Sequence, residues 1–226
     1  FFTKNSHLNY SALYRKVEVM NPNWAEQNLN IIRTLMERTA VYRRALAPIM
    51  ILAGVMGLAG GVTGWCLNLA TNTGFLLFWI GVAVVSLAGA LLLVRRQALK
   101  DAEPFWSPPA RRVAQALLPA FTVGLMVAVF IVGLGGFRGA EGNGLQLLVI
   151  LLWTWLYGCA AHSAGFFMPR GVRLLGWVFI VIGGVLLAAL CLPDNPLVGV
   201  PPHLLMGGIF GVLHLAYGLY LYATKQ

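Results

Sequence analysis

Residues 145–167 read LQLLVILLWTWLYGCAAHSAGFF, twenty-three positions without an Asp, Glu, Lys or Arg. A helix of ~20 apolar residues matches the hydrocarbon thickness of a bilayer, because each residue rises 1.5 Å. Only a helix or a closed barrel satisfies its own backbone polar groups in lipid. This stretch therefore reads as a transmembrane helix. Five more runs of similar length and character lie at 47–69, 75–94, 116–137, 174–192 and 202–222, again free of Asp, Glu, Lys and Arg. The expectation is an all-α fold, a polytopic transmembrane helical bundle of about six spans.

Composition agrees. The chain has 226 residues, 59% of them hydrophobic and 10% charged, with a mean hydropathy of +0.77. A soluble domain carries roughly 25% charged residues, and a chain this apolar has too few to cover a water-facing surface. The net charge of +9 would suggest nucleic acid in a soluble protein. Here the basic residues cluster just outside the apolar runs, as membrane orientation requires, so no nucleic-acid partner is expected. If the six runs all cross, fifteen of the sixteen Lys and Arg fall on one side, leaving only Arg138 on the other. That asymmetry predicts an inner-membrane protein with both termini and the basic loops in the cytoplasm. In the longest of these loops, 95–112, Pro104, Pro108 and Pro109 exclude a continuous helix.

Before the first span, a helix is expected over 24–46, capped by Asn23 with Glu26 three positions on. Its apolar rows (Leu29, Ile32, Met36 and Trp24, Ile31, Leu35, Tyr42) and its arginines make it amphipathic. It could lie on the inner membrane surface or extend the first span. Residues 1–23 read as a poorly ordered tail, the first Met being Met20. The domain plan is thus a tail at 1–23, an amphipathic helix at 24–46 and a six-helix membrane domain at 47–226. No cleavable signal peptide is visible, since the first long apolar run starts late and is too long.

Small residues mark candidate helix contacts, because close backbone approach drives packing in lipid. Gly57-xxx-Gly61 and Gly60-xxx-Gly64 lie in the first span and Gly207-xxx-Gly211 in the sixth. The plain reading is packing within the bundle; a homodimer through Gly57 and Gly61 is the sharper one. Trp65, Trp79, Trp106 and Trp177 read as interfacial anchors. Cys66, Cys159 and Cys191 have no CxxC spacing and read as buried thiols that act as small hydrophobes within apolar runs.

The ionisable residues within spans are His162 and His214. Such residues suggest function by default, and a depth difference of only ~6 Å between them allows a shared metal or haem site. Against it stands the lack of any carboxylate or Cys at ligand spacing. A neutral histidine bonded to a neighbouring helix is the favoured alternative. His162 and Ser163 point about 100° apart on a helix, so no nucleophile–base pair forms there. No Walker loop, dinucleotide fingerprint, HExxH or GxSxG motif is present, so no catalytic residue is assigned, no cofactor is expected and the sequence points away from an enzyme. Few polar residues occupy mid-span positions, and no embedded acid is available for ion coupling. A passive pore or small-solute carrier stays open as an alternative.

Three stretches remain: NLNIIRTLMERTAVYRR (28–44), EPFWSPPARRVAQALLPA (103–120) and AAHSAGFFMPRGVRLLGW (160–177). Together they resemble a family of uncharacterised bacterial six-span inner-membrane proteins. The resemblance implies the same layout and no activity. All three stretches fall on the expected cytoplasmic side. There Arg95, Arg96, Arg111, Arg112, Arg170 and Arg173 would meet anionic inner-leaflet lipids. Phe105 and Trp106, set between prolines and arginines, read either as an anchor for a cytosolic protein partner or as aromatics that dip into the membrane interface. The functional expectation is therefore a non-enzymatic accessory, sensory or regulatory protein acting through its cytoplasmic face.

Overall fold

A computed structural model describes residues 22–102, 104–133 and 143–224. Among these the chain is helical, with no strand. Helix α1 runs Pro22–Cys66, α2 Asn72–Lys100, α3 Pro108–Gly133, α4 Gly144–Ala164 and α5 Arg170–Cys191. Helix α6 spans Pro202–Ala223 and widens into a π turn over Gly208–Val212. Six stretches are long and apolar enough to cross a membrane: Ala45–Cys66, Asn72–Lys100, Ala110–Ile131, Gly144–Ala164, Arg170–Cys191 and Pro202–Ala223. The chain is an integral membrane protein with a multi-pass helical bundle.

The chain divides after Ala40 into two compact units, Phe1–Ala40 and Val41–Gln226. The N-terminal part of α1 belongs to the first, and the membrane bundle is the second. The tail expected at 1–23 lies outside the described residues but for its last two positions, as do Arg138, most of the loop around it, and Lys225.

Local chemistry sets the helix ends. The Thr71 hydroxyl accepts the Gly74 N–H at 3.1 Å and caps α2. Asn68, at φ 50°, turns the chain after α1, a backbone that Asn tolerates. The prolines of the 95–112 stretch interrupt the helix there, but the break is short. Pro108 opens α3, where a missing N–H costs nothing. Helix α2 continues through Arg95 and Arg96 to Lys100. Only residues 101–107 form the connection, and the four arginines are helical.

Helix α4 is the centre. Its buried residues include Leu147, Val149, Ile150, Leu151, Thr154 and Ala161. It packs against α3 and α5, and Phe75, Leu76 and Trp79 of α2 and Met206 of α6 join the same core. Phe121 stacks on Tyr157, and the Trp153 indole reaches the Gly124 carbonyl at 3.3 Å. These contacts run antiparallel, so α3 begins at the end where α4 closes.

Helices α1 and α6 meet through glycine. A Cβ built on Gly57 would stand 2.8 Å from Gly211 Cα, and one on Gly61 3.0 Å from Gly207 Cα. Gly57 and Gly61, the glycines expected to serve packing within the bundle or a homodimer, thus face α6 of the same chain. Two expectations change. Cys66, Cys159 and Cys191 are exposed on the outside of the bundle, because an apolar run in lipid faces outward as readily as inward. Trp79 is only 3% exposed and packs inside, whereas Trp65 is 54% exposed.

Candidate functional site

Several polar side chains of the interior lie along α4, and most of these bond outside their own helix. At one end the Gln146 amide donates to the Ala70 carbonyl at 2.8 Å. Further along, the Trp155 indole donates to Ile180 O at 3.1 Å, while Thr154 bonds back to Ile150 O within its own turn. In an apolar interior an unmade hydrogen bond costs ~1–3 kcal/mol, so each tie between helices specifies a partner.

The most distinctive tie joins α4 to α6. The Tyr157 hydroxyl lies 2.5 Å from His214 Nε2. His214 Nδ1 lies 2.6 Å from the Phe210 carbonyl, inside the π turn. A carbonyl only accepts, so Nδ1 carries the proton and the Tyr157 hydroxyl donates to Nε2. Phe179 and Phe210 close around the pair, with ring centroids 4.8 and 5.4 Å from Tyr157. Both imidazole nitrogens are engaged, and His214 is buried. The arrangement is suited to holding two helices in register. Neither nitrogen stands open to a ligand.

His162 does not join this pair. Its ring meets Phe166 and Trp177 edge-on, each at 5.4 Å. Helix α4 closes at Ala164 rather than at 167, which puts His162 within a turn of the helix end and His214 much deeper in α6. Tyr157, which bonds His214, lies five residues before His162 on α4, so at 1.5 Å per residue the two histidines differ in depth by ~7–8 Å. Among the described residues no group of three His, Cys, Asp or Glu is placed to hold a metal. Ser163 is exposed.

Sequence reasoning misses Tyr157, although a signal is present: a mid-span phenol needs a hydrogen-bond partner in lipid. It also underrates His203. That residue is 5% exposed and donates from Nε2 to the Leu69 carbonyl at 3.1 Å. Its ring packs on Phe75 at 4.8 Å, Phe78 at 5.5 Å and Trp79 at 6.3 Å. Nδ1 abuts Gly64 of α1, where a Cβ would collide with it.

The basic residues gather at the opposite end from His203. Arg95 and Arg96 lie near the end of α2, Arg111 and Arg112 near the start of α3, and Arg170 and Arg173 at the start of α5. The antiparallel α3–α4 pair and the contact of Tyr217 with Gly171 bring these termini to one end of the bundle. Arg173 is half-buried, its guanidinium 5.2 Å from the Phe166 ring centre; the other five are exposed. Between the first two pairs, Phe105 and Trp106 are 36% and 52% exposed, while Ser107 is buried. Their rings lie 6.4 Å apart. Chemically, this end offers cations and an aromatic pair, which suits anion or partner binding rather than bond-making.

Comparison of the chain with protein-family models, with curated proteins and with solved structures finds no match.

Proposed function

We propose that this membrane protein resides in a bacterial inner membrane with its arginine-rich end in the cytoplasm, and that it serves as a non-enzymatic accessory, sensory or regulatory component through that face. The observation that carries the reading is the exposed Phe105–Trp106 pair on a connection of seven residues, 101–107, flanked by Arg95, Arg96, Arg111 and Arg112. A short connection anchored by the buried Ser107 has little freedom left to lose on docking, and aromatic anchors between cations are typical of protein contacts. The tied polar groups of the interior support this over passive transport: Gln146, Thr154, Trp155, Tyr157 and His214 bond within the bundle rather than lining a path.

The test replaces Phe105 and Trp106 together with Ala. The expected variant inserts and melts like the parent but loses a defined cytosolic partner identified with the parent by crosslinking at this loop. A variant that is unstable in detergent, with no crosslinked partner on the parent, would make the loop a structural clasp and end the proposal.

A further inference from the structure

Towards the basic end, helices α2 and α3 are barely covered by the rest of the protein. From 80 to 97 on α2 and from 110 to 123 on α3 no residue is buried. Ala98, just beyond the first stretch, is buried, as are Gly124 and Ala128 beyond the second. By contrast α4 buries about half of its span. The exposed side chains include Val84, Val85, Leu91 and Leu92 of α2 and Leu118 and Phe121 of α3. These apolar stretches lead up to four exposed arginines. Arg95 and Arg96 lie about one turn before the close of α2 at Lys100, and Arg111 and Arg112 about one turn after the start of α3 at Pro108. At 1.5 Å per residue the α2 pair sits ~6–8 Å and the α3 pair ~5–6 Å inward from those helix ends, at nearly the same depth. Arg111 and Arg112 also stand near the start of a helix, where the macrodipole disfavours cations. A nearby anion would offset that cost.

We propose that this end binds an anionic phospholipid, its phosphate held between the Arg95–Arg96 and Arg111–Arg112 pairs and its acyl chains laid along the uncovered stretches of α2 and α3. Charge complementarity at the head and an apolar surface of matching depth below it select a lipid over a soluble anion. Asp101, which accepts the Gln97 amide at 2.9 Å, lies on the connection one turn beyond the arginines and leaves the four cations in excess. The site needs the basic end at headgroup level but not a particular side of the membrane. Reversed topology would thus sink the functional proposal above and spare this one.

The experiment titrates the full chain, purified in detergent, with phosphatidylglycerol and with phosphatidylcholine of the same acyl chains, and counts bound lipid by native mass spectrometry. Phosphatidylglycerol is expected to bind at least about tenfold more tightly. Replacing an arginine by Gln should weaken that preference by about fivefold, the factor expected for one cation at an anionic surface. The variant carrying all four replacements should bind the two lipids alike. Should the fourfold variant fail to fold, the parent's preference must still fall as salt is raised. Equal binding of the two lipids by the parent, competition by inorganic phosphate alone, or a second copy of the chain that excludes lipid from α2 and α3 would each overturn the proposal.

Discussion

The Tyr157 hydroxyl and His214 Nε2 lie 2.5 Å apart, joining two helices across 57 residues of sequence. Because His214 Nδ1 is committed to the Phe210 carbonyl, Tyr157 is the donor that satisfies the second ring nitrogen. Tyr157→Phe removes this donor and little volume. It should cost about 1–3 kcal/mol, the penalty of a buried group left unpaired. Thermal unfolding in detergent reads it, and a double-mutant cycle with His214→Phe should show coupling of about 0.5–3 kcal/mol. Additive effects would mean that the contact contributes nothing specific.

Helix contact through glycine gives a second outcome. A Cβ on Gly211 would meet Leu58 N of α1 at 2.6 Å, whereas one on Gly81 or Gly184 meets nothing within 4 Å. Gly211→Ala should therefore destabilise by about 1–3 kcal/mol through overpacking. Gly81→Ala and Gly184→Ala should be neutral or stabilise by up to about 1 kcal/mol. The oligomeric state of all three should equal that of the parent, since Gly211 faces α1 of its own chain. A change of subunit number in Gly211→Ala alone would contradict this assignment.

Ala102, just past the close of α2, sits at φ 52°, a left-handed backbone that a Cβ disfavours. Ala102→Gly should raise stability by about 1 kcal/mol and move the melting midpoint upward. An unchanged or lowered midpoint would show that the alanine methyl makes compensating contacts.

The proposed orientation makes its own demand. Reporter fusions after Lys100 and Arg170 should signal cytoplasm, and fusions after Thr71, Gly142 and Asn195 the opposite side. A non-cytoplasmic signal at Lys100 would reverse the reading of the arginine asymmetry.

Span number and placement were legible because they depend on local quantities: ~20 apolar residues per crossing and charge at the ends. The sequence alone determined six membrane helices and the segregation of arginines to alternate connections. It did not determine which face of each helix meets which neighbour. In water the apolar face is the buried face; in a bilayer both faces are apolar, and the period that marks a core disappears. Hence Cys66, Cys159 and Cys191, expected inside, lie outside, and Trp79, expected at the interface, lies inside. Hence also His214 could be recognised as needing a hydrogen-bond partner, but not as belonging to Tyr157 rather than to His162. Only the tertiary structure decided that, through the early close of α4 at Ala164, the π turn at Gly208–Val212 and the glycine seam between α1 and α6. These set helix depth and rotation, which no local pattern encodes when lipid replaces water around the bundle.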